Sequence, residues 1–129
     1  MNGKMPGVGD TVLVIDDEPG TLGAITARLE NAGITVLVAT SGEAALGIVE
    51  RVVPDLIIVD ALMPGIDGFE TTRQIKRKPR LAGVPFIFMT GLTESEHVVR
   101  AFDAGGSDYV RKPVDLEELL ARVRVHIAQ

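Results

Sequence analysis

Five polar side chains that could do chemistry together each follow an apolar run in this sequence. Asp16 and Asp17 follow the first run, Asp60 ends a second, Thr90 ends a third, and Lys112 comes shortly after a fourth. Carboxylates that share one site repel each other unless a cation joins them, and their oxygens suit a hard ion such as Mg²⁺. An ammonium and a hydroxyl group would help to neutralise and orient the oxygens of a transferring phosphoryl group. A carboxylate can itself be the attacking group, so these residue types predict metal-assisted phosphoryl chemistry.

The apolar runs are the elements that must position these side chains. They are short, nearly continuous, and lie at 12–15, 35–38, 56–59, 86–89 and 109–110. Runs that are apolar on both faces predict parallel strands covered by helices on both sides. In open parallel sheets, ligands bind at the carboxyl ends of the strands. The runs therefore predict that residues far apart in the sequence meet at one edge of a sheet.

The segments between these runs have helical spacing. Leu22, Ile25 and Leu29 share one face and precede Gly33, and a second segment follows Ser41. Three more begin with an acceptor and a Glu at capping-box spacing, namely Asp67 with Glu70, Thr93 with Glu96, and Asp115 with Glu118. The alternation of five strands with five helices predicts a doubly wound α/β domain.

Length and composition limit the classes of protein that the chain can belong to. Its 129 residues, 46% hydrophobic and 24% charged, predict one domain with a single core. We expect a flexible leader over 1–10 and the domain over 11–129. The net charge of -5 argues against direct binding to nucleic acid or a membrane surface. The lack of cysteine excludes disulfides and zinc-cysteine sites and fits a cytoplasmic protein. No apolar run approaches the ~20 residues needed to span a bilayer.

The strand ends resemble those of the receiver domain of two-component response regulators, including the chemotaxis-type regulators. The resemblance rests on Asp-Asp-Glu-Pro at 16–19, Asp-Ala-Leu-Met-Pro-Gly-Ile-Asp-Gly at 60–68, Met-Thr-Gly at 89–91 and Ala-Gly-Gly-Ser-Asp-Tyr-Val-Arg-Lys-Pro at 104–113. Each motif alone is weak to moderate, but all four in order are highly specific. The match covers nearly the whole chain from about residue 11. It implies a flavodoxin-like three-layer fold with a five-stranded parallel sheet in the order 2-1-3-4-5.

The resemblance implies an acceptor and a metal site. Asp60 resembles the family's phosphoacceptor. Asp17 would bind Mg²⁺ or Mn²⁺ directly and Asp16 mainly through water, with the backbone carbonyl of Leu62 completing the protein ligands. Asp16 and Asp17 could instead cap the first helix, and both roles could hold together.

The resemblance also implies the residues that respond to the phosphoryl group. Thr90 would bond to a phosphoryl oxygen. Lys112 would pair with Asp60 and then with the phosphoryl group, directed by a cis peptide bond to Pro113. Tyr109 would rotate inward as Thr90 moves, and so change the surface formed by the fourth helix, fifth strand and fifth helix. We also expect Leu62 and Leu92 to flank the acceptor and slow the attack of water on it.

The expected function is that of a signalling switch rather than a classical enzyme. A histidine kinase or histidine phosphotransfer protein would supply the phosphoryl group, and the domain would catalyse its own phosphorylation and slow dephosphorylation. An output domain or partner protein would dock on the surface formed by the fourth helix, fifth strand and fifth helix. We expect a cytoplasmic monomer or weak homodimer that binds neither nucleic acid nor membrane.

Three other functions compete with this interpretation. A haloacid-dehalogenase-like phosphatase normally has a second Asp two residues after the nucleophile, where this sequence has Leu62. A receiver-like binding module that works without phosphorylation usually lacks one of the acids, the Thr or the Lys. A flavodoxin-type cofactor binder needs a phosphate-binding loop rich in Ser, Thr and Gly after the first strand, where Asp16 and Asp17 would repel a phosphate unless a metal bridged it.

Overall fold

The computed structural model of the chain describes residues 7–91 and 95–129, apart from the side chains of residues 95 and 96. The strands are β1 Thr11–Ile15, β2 Thr35–Ala39, β3 Leu56–Asp60, β4 Phe86–Thr90 and β5 Asp108–Arg111. The helices are α1 Pro19–Asn31, α2 Gly42–Val49, α3 Gly68–Lys76, α4 Ser95–Asp103 and α5 Leu116–Ala128, and a 3₁₀ turn covers Pro79–Leu81.

The five strands form one parallel sheet in the order β2-β1-β3-β4-β5. The predicted strand order and the flavodoxin-like fold are confirmed. The register pairs Ile15 with Val59 and Asp60 with Met89. Since all strands run the same way, this register brings the carboxyl ends of β1, β3 and β4 to one edge of the sheet.

Alternate residues of the central strands fill two separate cores. Leu13 and Val59 face the layer formed by α2, α3 and α4, whereas Val14 and Ile58 face α1 and α5. β3 and β4 are buried along their whole length. This burial on both faces explains why the strand runs read as continuously apolar in the sequence.

The helix starts follow the predicted caps. Asp67 accepts from the Glu70 amide (2.8 Å) at the start of α3, and Asp115 accepts from the amides of Glu117 and Glu118 (3.0 Å each) at the start of α5. The Glu70 carboxylate accepts from Gln74 and Arg73 further along α3. The predicted cap at Thr93 lies outside the described residues.

The segment before β1 forms a turn against the end of α1. The Gly9 amide donates to the carbonyl of Gly33 (3.0 Å) and the Asp10 amide to that of Gly7 (3.0 Å). Residues 1–6 of the predicted leader lie outside the described residues, so the leader stays a prediction. None of the helices in the described ranges has the length and hydrophobicity that crossing a bilayer requires.

Candidate functional site

Three carboxylates meet at the carboxyl edge of the sheet. Asp60 is the last residue of β3 and is 6% exposed, and Asp16 follows β1 and is fully buried. Asp17, the next residue, is exposed. Each of the three offers an oxygen within 4.8 Å of the others. The structure therefore brings together the three acids that the sequence singled out as a metal site.

Lys112 supplies positive charge to this cluster. Its Nζ donates to Oδ2 of Asp60 (2.8 Å) and lies 3.7 Å from Oδ2 of Asp16. Burial disfavours the charged form of Lys112, but the hydrogen bond and the charge of Asp60 outweigh it and raise the pKa of Lys112. Lys112 therefore stays protonated beside the acceptor. The Lys112–Pro113 peptide bond is cis, as the resemblance implied.

Asp16 is the most perturbed acid of the site. Burial, reinforced by the charge of Asp60, raises the pKa of Asp16 from 3.8 to about 6, although a hydrogen bond from the Glu18 amide (3.0 Å) opposes the shift. In the described part of the chain, no hydrogen-bond partner reaches its buried Oδ2. A buried carboxylate oxygen without a donor, next to two more carboxylates, fits a hard divalent cation such as Mg²⁺ or Mn²⁺.

The backbone after Asp60 is held close to the acceptor. The Leu62 amide donates to Oδ1 of Asp60 (3.3 Å), and the Leu62 side chain is half exposed. The Gly68 amide donates to the carbonyl of Ala61 (2.8 Å). A Cβ at Gly68 would lie 2.1 Å from the carbonyl oxygen of Asp60, so α3 can start here only with glycine.

Thr90 and Tyr109 lie on the two strands beyond Asp60. Thr90 ends β4, is 5% exposed, and accepts the Lys112 amide through its carbonyl (2.8 Å). Tyr109, in β5, is half-buried and meets Phe102 of α4 edge-to-face, with the ring centroids 6.4 Å apart. The structure thus places the predicted switch residues on adjacent strands, one of them against the predicted output surface.

Glu18, which the sequence analysis did not single out, caps α1. Its carboxylate accepts from the Thr21 amide (2.6 Å) and the Thr21 hydroxyl (2.9 Å), and the bond from the Thr21 amide is the main cause of its lowered pKa. The alternative role of Asp16 and Asp17 as caps of the first helix is therefore filled by Glu18. The acceptor directly before Pro19 was the available sequence signal, because proline favours the first helical position.

Comparison with known proteins gives one consistent family. The family model of the response regulator receiver domain matches residues 12–124. The transcriptional regulator RpaA of Synechocystis is 37% identical over 113 residues, which are 88% of this chain and 47% of that protein. The protein PilH of Pseudomonas aeruginosa is 33% identical, and the match covers 91% of this chain and 97% of PilH. The chain spans about half the length of RpaA and of the regulators PhoB and MtrA, which it also resembles.

Solved structures agree with this similarity. The chemotaxis protein CheY4 of Vibrio cholerae superposes with a TM-score of 0.87 at 27% identity, over 90% of this chain and 97% of that one. The receiver domain of a sensor histidine kinase of Pseudomonas aeruginosa superposes with a TM-score of 0.86 at 28% identity, over 93% and 98%. In that structure a magnesium ion is coordinated in the active site cleft.

Proposed function

This chain belongs to the receiver domain family of two-component response regulators, and we propose that it accepts a phosphoryl group on Asp60 in a reaction that requires a divalent cation. One observation carries the proposal. The Asp60 carboxylate, nearly buried at the sheet edge, is hydrogen-bonded to Lys112 and lies beside the donor-free oxygen of Asp16. Such an arrangement presents a nucleophile next to a cation site and an ammonium group.

Asp16, Asp17, Asp60 and the backbone carbonyl of Leu62 would hold Mg²⁺ or Mn²⁺. When bound, the cation would supply charge neutralisation for the phosphoryl oxygens. The support is the cluster of three acids together with the buried Oδ2 of Asp16, which no hydrogen-bond donor reaches within the described residues, and with the pKa of Asp16, which burial and the charge of Asp60 raise.

Asp60, Lys112 and Thr90 would each have a separate role in the phosphoryl transfer. An oxygen of Asp60 attacks the phosphorus of a phosphohistidine, the phosphorus–nitrogen bond breaks, and the leaving imidazole takes up a proton from solvent. Lys112, which now pairs with Oδ2 of Asp60, would pair with a phosphoryl oxygen, and the Thr90 hydroxyl would donate to another. Water later cleaves the acyl phosphate, which restores Asp60 and releases phosphate.

The new contacts would bias a two-state switch. As Thr90 moves toward the phosphoryl group, Tyr109 would turn inward and change the surface formed by α4, β5 and α5. A histidine kinase or histidine phosphotransfer protein would be the donor, and an output domain or partner protein would read the changed surface. We propose a monomer or weak homodimer without direct nucleic-acid contact, and its cytoplasmic location stays a prediction from the sequence.

The test is the intact mass of the protein after incubation with acetyl phosphate and Mg²⁺. We expect one added phosphoryl group in the wild type, and none after Asp60→Asn or with a chelator in place of the metal. Asp103→Asn, which changes an exposed carboxyl on α4, should leave the reaction unchanged. A folded wild-type protein that gains no mass under any condition would contradict the proposal and favour a binding module that works without phosphorylation.

A further inference from the structure

α4 is anchored to the sheet by small side chains. Of its described residues, Ala101 is buried, as is Ala104 directly after the helix, whereas Val99 and Phe102 are 54% and 48% exposed. α5, in contrast, buries two leucines and a valine. Because the buried apolar area sets most of the docking energy, α4 is held less firmly than α5. An element with few buried apolar contacts is the kind that moves when a protein switches state.

One long side chain adds contacts that the alanines cannot make. The guanidinium carbon of Arg100 lies 4.2 Å from the ring centroid of Phe69, and Nη2 of Arg100 lies 3.9 Å from Oδ2 of Asp67. The ring of His97, one turn earlier in α4, is 6.4 Å from the same phenylalanine ring. Arg100 therefore combines a cation–π contact with an ion pair, and both reach the start of α3.

The two residues that Arg100 contacts are themselves tied to the phosphorylation site. Asp67 ends the loop that follows the acceptor and caps α3 through the Glu70 amide (2.8 Å). Phe69 is 1% exposed and stacks on Phe88, with the centroids 5.4 Å apart. Phe88 lies in β4 two residues before Thr90. Arg100 thus joins α4 to both the acceptor loop and the strand that carries the switch threonine.

The geometry points to Arg100 as a latch that holds α4 in its unphosphorylated position and is released when Asp60 is phosphorylated. This inference rests on the proposed function and adds a positioning residue that regulates it. By linkage, a contact made only in the unphosphorylated arrangement opposes phosphorylation by the same factor by which phosphorylation weakens the contact. Removal of the contact should therefore favour the phosphorylated form.

The test compares Arg100→Ala and Arg100→Lys with Val99→Ala, a matched truncation of the neighbouring exposed residue. Each protein is held at a subsaturating concentration of acetyl phosphate with Mg²⁺, and intact mass gives the ratio of phosphorylated to unphosphorylated chain. We expect Arg100→Ala to raise this ratio about threefold to tenfold, the range for an exposed cation–π contact plus an ion pair. Arg100→Lys, which keeps the charge but not the planar guanidinium, should give a smaller rise, and Val99→Ala none.

A second readout separates the latch from general stability. Hydrogen exchange of the α4 amides in unphosphorylated protein should speed up in Arg100→Ala and not in Val99→Ala, while the exchange of β3 and α5 stays unchanged. Equal phosphorylation ratios in Arg100→Ala and Val99→Ala, with a wild type that is phosphorylated, would overturn the latch and leave the proposed function intact. A wild type that is not phosphorylated would overturn both. Faster exchange throughout Arg100→Ala without a rise in the ratio would show a merely structural role and also overturn the latch.

Discussion

The carboxyl group of Asp16 is fully buried, and its pKa is raised to about 6. The folded state therefore binds this proton more tightly than the unfolded chain does, whose ordinary value is 3.8. When the pH lies above the raised pKa of the folded state, Asp16 is ionised and the free energy of unfolding is lowered. When the pH lies below the pKa of both the folded and the unfolded state, Asp16 is protonated in both and this loss of stability disappears. Without a bound cation, the charge of Asp16 is thus a cost to stability at neutral pH.

Replacing Asp16 tests this cost directly. Asp16→Asn keeps an oxygen to accept the Glu18 amide but removes the charge. In the presence of a chelator we expect the free energy of unfolding at neutral pH to rise by about 2–3 kcal/mol. The gain should shrink as the pH falls through the raised pKa and disappear below the ordinary one. Urea unfolding across this range is the measurement, and Asp17→Asn, at the exposed neighbour, is the matched control. Equal stability of Asp16→Asn and wild type at neutral pH would contradict the account.

The side chain of Leu62 should lengthen the lifetime of the acyl phosphate, and Leu92, the other residue expected to flank the acceptor, lies outside the described residues. The Leu62 amide is bound to Asp60 and its apolar side chain is half exposed, so it can restrict the approach of water to the acceptor. We expect Leu62→Asn to lose phosphate several-fold faster than the wild type. The loss is measured from the intact mass of the protein at intervals after the phosphoryl donor is removed. Val125→Asn, at an equally exposed valine of α5, should leave the decay unchanged. Unaltered decay in Leu62→Asn would show that this side chain does not shield the site.

The sequence located the individual acids and Lys112 because each follows an apolar run, and parallel strands bring such ends together. Arg100 does not follow one of these apolar runs, so no pattern in the sequence marked it as a functional residue. Its partners Asp67 and Phe69 lie at the start of another helix, as its cap and in its first turn. Such contacts depend on how the helices pack, which local spacing does not encode. Glu18 was overlooked for a different reason. Asp16 and Asp17 also precede α1, and the position of Glu18 directly before Pro19 was the signal that distinguished it as the cap.

At the scale of elements, α3 is positioned by how closely its first turn approaches the acceptor backbone. Any side chain at Gly68 would meet the Asp60 carbonyl at 2.1 Å, so the helix would have to shift. We expect Gly68→Ala to lower the free energy of unfolding by about 2–4 kcal/mol and to slow phosphorylation, because the acceptor loop moves with the helix.

Gly47 is the matched glycine for this test. It lies inside α2 with no atom within 4 Å of an added Cβ, so Gly47→Ala should raise the free energy of unfolding by about 0.5–1 kcal/mol. Urea unfolding of both variants is the measurement. If Gly68→Ala were as stable as the wild type, the start of α3 would not depend on this contact.

The elements themselves were largely predictable. Strand runs buried on both faces and acceptors such as Asp67 and Asp115 mark where strands and helices begin, and the structure has both caps. The weak attachment of α4 could not be predicted, because a cap at the start of a helix does not show which of its side chains, large ones such as Val99 and Phe102 or small ones, pack on the sheet. The structure instead buries Ala101 and Ala104 and leaves the larger side chains exposed.

For the whole molecule, cation binding and folding should be coupled. The three acids come from two strand ends, so the complete site exists only in the folded chain. A ligand that binds only the folded state raises the unfolding free energy by about 1.4 kcal/mol at ten times its dissociation constant. We expect Mg²⁺ to raise the melting temperature of the wild type.

Asp17→Asn is the control for this coupling, because it removes one ligand and leaves the buried core untouched. The rise in melting temperature should be much smaller in this variant, as measured by thermal unfolding at several Mg²⁺ concentrations. An equal effect of Mg²⁺ on wild type and Asp17→Asn would mean that the cation binds elsewhere.

The overall topology followed from the alternation of elements and the family resemblance, and the sheet order is confirmed. The phosphoryl donor and the output partner cannot be identified from the sequence in the same way. They depend on the shape and charge of the surface, and many different surfaces are compatible with one fold.

The central claim is that Asp60 is the residue that carries the phosphoryl group, and the most direct measurement locates that group in the chain. The wild type is phosphorylated with acetyl phosphate and Mg²⁺, the acyl phosphate is reduced with borohydride, and the peptides are sequenced by mass spectrometry. We predict that the reduced residue, homoserine, is found at position 60 and at no other aspartate. Homoserine at Asp16, Asp17 or another aspartate in place of Asp60 would contradict the account.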